Sequence, residues 1–177
     1  MNGTFYSIKI PKIGKIVSAK LNVIDRGYPA FLLEVFNIFS DDITTPNQDV
    51  KLLFSPIFLV KKPSKKESDW IQGAKGNSIS EIPKFKIANH VPDYFIDEKS
   101  ISPWYLVDIN NDTEIECDYA KLKHLEYDWN YSFNQVQFRL ELEYYKQCGI
   151  DLKSKIDIDK LKEPEKMVYY RFLNLQQ

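Results

Sequence analysis

The chain has 177 residues, 44% of them apolar and 28% charged, which suits a globular core and excludes a disordered segment. A net charge of −1 argues against a dedicated nucleic-acid binder, which carries a basic excess. No stretch approaches the roughly 20 apolar residues of a membrane helix, and MNGTFYSIKIPK has no basic segment leading into an apolar run, so a cytoplasmic protein without a signal peptide is expected.

The first half reads as strands. TFYSIKI (residues 4–10) is aromatic and β-branched and ends at PKIG, where Gly14 suits a tight turn. In KIVSAKLNVI (15–24), Ile16, Ser18 and Lys20 alternate with Val17, Ala19 and Leu21. DRG marks the next turn. YPAFLLEVFNIF (28–39) is nearly all apolar, as for a strand buried on both faces. After the polar loop SDDITTPNQD, the run VKLLFSPIFLV (50–60) contains Pro56, which predicts an edge, a bulge or a break between two short strands. KKPSKKESD (61–69) is a surface loop. WIQGAKGNSISEIPKFKI (70–87), with two glycines and a proline, predicts an irregular excursion ending in a short strand. ANHVPDYFIDEKSISP (88–103) is a loop-rich connection.

WYLVDI (104–109) and TEIECDY (113–119) alternate and are joined by NND, predicting a hairpin. In its second strand Ile115, Cys117 and Tyr119 are expected to face the core, with Glu114, Glu116 and Asp118 outward. Residues 132–148 predict a helix. Ser132 and Gln135 fit a capping box, Phe133, Val136, Leu140 and Tyr144 form an apolar stripe, and Gly149 sits at the C-terminal cap. EPEKMVYYRFLNL (163–175) predicts a last helix with Pro164 at its start, against a closing strand. The predicted class is α+β: a strongly bent antiparallel sheet or partly open small barrel over the first two-thirds, with one or two C-terminal helices packed on it. With no repeat, low-complexity tract or linker, residues 1–177 are expected to form a single domain.

No catalytic motif stands out. Asp108, Asn110, Asp112 and Glu114 alternate like the start of a calcium loop, but Thr113 and Tyr119 occupy the positions that need glycine and glutamate. Glu114 and Glu116, two apart on a strand, have the spacing of a carboxylate pair but no recognisable sugar cleft. His90 and His124 are isolated. Cys117 and Cys148 make no disulfide framework and are expected to be reduced and partly buried. No metal or cofactor is expected. The four lysines of KKPSKK point to a solvated loop, or to a nucleic-acid contact on a small barrel as the alternative function.

Charge is unevenly spread. Residues 1–100 hold 14 Lys and Arg against 11 Asp and Glu, a balance of +3; residues 101–177 hold 10 against 14, a balance of −4. Residues 108–129 alone carry seven carboxylates and two lysines. Such a cluster is either a solvated sheet face or a dock for a basic protein. The docking reading assigns partner contacts to Asp108, Asp112, Glu114, Glu116, Asp118, Glu126, Tyr127, Asp128 and Trp129, with rings as anchors.

Gly3, Phe5, Ile8 and Gly14 in the first strands, then Trp70, Gly73, Pro83 and Phe85, carry a resemblance. In this pattern the chain resembles the immunity proteins of bacterial polymorphic-toxin and contact-dependent growth-inhibition systems, of the immunity protein twenty-six type. The resemblance covers about half of the chain, and its motifs are structural. It implies a non-enzymatic cytosolic inhibitor that binds a toxin's C-terminal domain, often a nuclease, and blocks its active site or substrate groove. It assigns no functional residue.

Overall fold

The computed structural model describes residues 2–46, 50–88 and 98–176. The chain is α+β, with two open sheets and its longer helices toward the C-terminus. Its contacts group into two compact units, neither continuous in sequence: Met1–Ile82 with Trp129–Gln137, and Pro83–Asp128 with Phe138–Gln177.

The first unit is a six-stranded sheet. β1 (Asn2–Ile10), β2 (Lys15–Asp25) and β3 (Pro29–Ser40) form an antiparallel meander. Its turns rest on local chemistry: Gly14 and Gly27 take φ of 65° and 78°, which side chains avoid, and the Gly27 amide donates to Asp25. Alternate residues Tyr6, Ile8 and Ile10 bury one face of β1. Leu32, Leu33 and Val35 are all fully buried, so the middle of β3 is covered on both faces, as its apolar run predicts. Pro56 breaks the next run. Leu52 makes a lone bridge to Phe36, and β4 (Ile57–Leu59) begins just after the proline. β4 also pairs in parallel with β9 (Asn130–Tyr131), which makes the sheet mixed where an antiparallel one is expected.

The other edge corrects the sequence reading. Trp70–Asn77 is no irregular excursion but an eight-residue edge strand, β5, paired with β1. Its glycines fit because Phe5 lies against them: a Cβ on Gly76 would come within 2.6 Å of that ring. A shift in the pairing register between Thr4 and Tyr6 accommodates the approach. Asn22, fully buried, ties the sheet to the following segment. It donates to Glu34 at 2.8 Å and accepts the Ile79 amide at 2.9 Å.

The second unit holds a three-stranded antiparallel sheet: β6 (Phe85–Ala88), β7 (Trp104–Asp108) and β8 (Thr113–Cys117). A one-turn helix, α1 (Tyr119–Leu122), follows. α2 (Phe133–Gln147) begins among first-unit residues and continues into the second. Ser132 and Gln135 cap it reciprocally, and Gly149 at φ 67° closes it, as predicted. Val136 and Leu140 are buried and Phe133 and Tyr144 half-buried, but burial is wider than one stripe and takes in Arg139, Glu141 and Glu143. α3 (Leu152–Lys155) is short, and α4 (Glu163–Asn174) is the predicted last helix with Pro164 in its first turn. No helix among the described residues is long and apolar enough to cross a membrane.

Candidate functional site

The β7–β8 hairpin closes through residues 109–112, where Asp112 takes φ 50°. Asp108 organises this turn. Its carboxylate accepts the Asn111 amide and side chain at 3.3 and 3.0 Å and pairs with Lys84 at 3.2 Å. These donors, Asn111 first and Lys84 after it, hold its carboxyl below the usual range. Asp108 is buried and committed to the turn, so it is not part of an exposed docking face.

β8 is different. Thr113, Glu114, Ile115 and Glu116 are all exposed, and Ile115 stands 54% exposed between the two carboxylates. The expectation that Ile115 faces the core fails. The buried cluster of this unit is Ile101, Trp104, Leu122 and Tyr127, with Cys117 and Tyr119 packed against it. Only the end of β8 reaches that cluster, and Ile115 overhangs it toward the hairpin tip. Tyr119 reaches it from α1 rather than from a strand, because Asp118 accepts the Ala120 amide at 3.0 Å and starts a helix there.

The three-stranded sheet has two edges. The β6 edge is covered: the Lys86 amide donates to Glu126 O and Lys86 O accepts the Asp128 amide, each at 2.9 Å. β8 forms the other, at the end of the strand order, with no further strand beside it among the described residues. A cleft of about 380 Å³ opens at its C-terminal end, lined among others by Lys99, Trp104, Glu116, Cys117, Asp118 and Tyr119.

Glu126 and Tyr127 belong to the interior, which corrects their place on the expected docking face. Glu126 pairs with Arg139 at 3.2 Å, and Arg139 also reaches Glu143 at 2.9 Å. Burial pushes the Glu126 carboxyl up despite Arg139. The Tyr127 ring has Lys86 Nζ 4.5 Å and the Arg171 guanidinium 4.2 Å from its centre. Lys86 has no exposed surface. It donates to Glu98 at 3.0 Å and to Lys123 O at 3.2 Å, and lies 5.3–5.7 Å from the centres of the Tyr119 and Trp104 rings. Desolvation lowers its pKa, with Glu98 opposing the shift. Asn174 of α4 donates to the other Glu98 oxygen at 2.9 Å.

Of the nine residues assigned to the partner face, Asp112, Glu114, Glu116 and Asp118 are therefore exposed around the hairpin. Asp128 is half-buried, and Trp129, 37% exposed, belongs to the first unit. Sequence reasoning missed Lys86, Glu98, Arg139 and Arg171. The one signal for Lys86 was a charge between Phe85 and Ile87 in a short apolar strand.

Other sequence candidates recede. No group of three or more His, Cys, Asp and Glu among the described residues is arranged to hold a metal. His124 is exposed, and His90 lies outside the described residues. Both cysteines are free, Cys117 half-buried and Cys148 exposed rather than partly buried. In the lysine loop, Glu67 gathers its neighbours: Ser64 donates through its hydroxyl and its amide, and Lys61 pairs at 3.2 Å. The Ser64 bonds hold the Glu67 carboxyl at about 2. Lys61 also lies 5.5 Å from the Phe133 ring centre, so this cation is already engaged. Comparison with protein-family models, with curated proteins and with solved structures found no match.

Proposed function

We propose that the chain is a non-enzymatic cytosolic immunity protein that takes a basic segment of a bacterial toxin domain onto the open edge of β8. The carrying observation is that edge: a strand end-on to solvent, with Ile115 exposed between Glu114 and Glu116. An unpaired strand offers main-chain donors and acceptors to an incoming extended segment. Exposed Ile115 supplies an apolar anchor, and the surrounding carboxylates speed encounter with a positive partner. The resemblance carried by Gly3, Phe5, Ile8, Gly14, Trp70, Gly73, Pro83 and Phe85 supplies the toxin reading.

A carboxylate hydrolase is less well supported, although a cleft does adjoin Glu116 and Asp118. Acid catalysis at neutral pH needs one carboxyl kept protonated by burial. Glu116 and Asp118 are both exposed, and Asp118 is occupied in capping α1.

The test uses the toxic domain encoded by the adjacent reading frame and the triple variant Glu114→Lys, Ile115→Arg, Glu116→Lys. Surface-plasmon measurements should show association slowed and affinity weakened by at least about tenfold. The urea midpoint should stay put, since all three side chains are exposed. Unchanged affinity for the toxin domain would remove β8 as the docking edge.

A further inference from the structure

We infer that the cleft at the C-terminal end of β8 is a receptor for an arginine side chain, presented by the polypeptide that docks on that edge. The inference rests on the docking reading for the origin of the arginine, but the cleft's selectivity is a property of this chain alone. Glu116 and Asp118 line the cleft, as does half-buried Tyr119, whose ring centre lies 5.4 Å from that of buried Trp104 at the cleft floor. The Glu116 carboxylate has no hydrogen-bond or ion-pair partner among the described residues. Asp118 uses one oxygen to cap α1 and has its other oxygen unengaged among them.

The volume of about 380 Å³ falls at the small end of the roughly 300–1,000 Å³ of ligand sites. That suits one side chain rather than a cofactor. Carboxylates beside the half-buried Tyr119 ring fit a planar cation. A guanidinium presents several donors in a fixed fork for carboxylate oxygens and stacks on rings. An ammonium is a compact, strongly hydrated charge that does neither as well. The two carboxylates outnumber Lys99, the one cationic residue lining the cleft among the described residues. Lys86, near the same two rings, is matched by Glu98 at 3.0 Å and adds no net charge.

Position links the cleft to the edge. Glu116 and Cys117 belong to both β8 and the cleft wall. A strand added along β8 carries side chains on one face every second residue, roughly 6.6 Å apart, so one of them passes the opening.

The probe is N-acetyl-arginine amide, titrated into the full chain labelled with nitrogen-15 at low salt, beside N-acetyl-lysine amide and N-acetyl-citrulline amide. The arginine probe should shift the Trp104 indole and the Cys117 and Asp118 amides with a Kd near about 1 mM. It should bind at least about fivefold more tightly than the lysine probe, with citrulline weakest, because it alone lacks charge. The double variant Glu116→Gln, Asp118→Asn should weaken it about tenfold while keeping α1, since asparagine caps as well as aspartate. Lys99→Met should strengthen it. The spectrum of each variant reports its own folding. Equal binding of citrulline, shifts that survive the double variant, or no shift at these three groups would each overturn the arginine receptor. None of these results touches the docking reading, which falls only if the β8 triple variant leaves toxin affinity unchanged.

Discussion

At the residue scale, Lys86 shows how a charge is kept inside this protein. It is fully buried, yet its ammonium meets a carboxylate, a carbonyl and three rings. Such an arrangement offsets desolvation without guaranteeing net stability, because the partners were also taken from water. Removing one partner is the costly change. Lys86→Met should destabilise the fold by about 3–5 kcal/mol, since Glu98 keeps its charge and, among the described residues, its carboxylate retains only the bond from Asn174. Adding Glu98→Gln should restore most of the loss. Urea unfolding followed by circular dichroism checks both, and a loss under about 1 kcal/mol in the single variant would show that water reaches the site. None of this was legible in sequence. PKFKIA gave the strand, but the rings around Lys86 come from segments 18 or more residues away. Glu126 and Tyr127 were misplaced for the same reason: a locally acidic, aromatic segment looks the same exposed or buried.

At the element scale, the features set by near neighbours in sequence were the readable ones. The capping box at Ser132, the Gly149 cap and the turns at Gly14 and Gly27 depend on contacts within five residues. β5 was misread because glycine argues for irregularity unless a neighbour needs the space. Here Phe5, stacked on Phe36 with centres 6.1 Å apart, needs it. Gly76→Ala should therefore lower stability by about 1–3 kcal/mol by pushing that ring aside. Gly73→Ala, with its nearest contact at 3.6 Å, should be neutral or stabilise by up to about 1 kcal/mol. Thermal unfolding of the two variants separates the explanations. Equal losses would mean that backbone freedom, not Phe5, sets the requirement for glycine.

At the scale of the whole molecule, composition and charge set the field in which a partner is met. The balance of −1 leaves little attraction for a polyanion, and Lys61 of the lysine loop is already paired with Glu67. Fluorescence anisotropy with a labelled oligothymidine at low salt should show no binding to the intact protein. Binding that weakens steeply with added salt would instead favour the nucleic-acid alternative. The acidic half supplies the complementary expectation of the docking proposal, a basic protein partner, and within residues 108–129 that charge is usable where it is exposed, at Asp112, Glu114, Glu116 and Asp118.

The sequence by itself determined the α+β class, most strand and helix positions, the β7–β8 hairpin and the caps of α2, because these follow from periodicity and contacts between near neighbours. Tertiary structure alone decided which of the seven carboxylates between residues 108 and 129 face water. Asp108 was drawn in by Asn111 and Lys84, and Glu126 by Arg139, whereas Glu114 and Glu116 stayed on an uncovered strand. It also decided that Ile115 overhangs the core. Alternation fixes which side chains share a face of a strand, but how far the core extends beneath that face depends on segments distant in the chain.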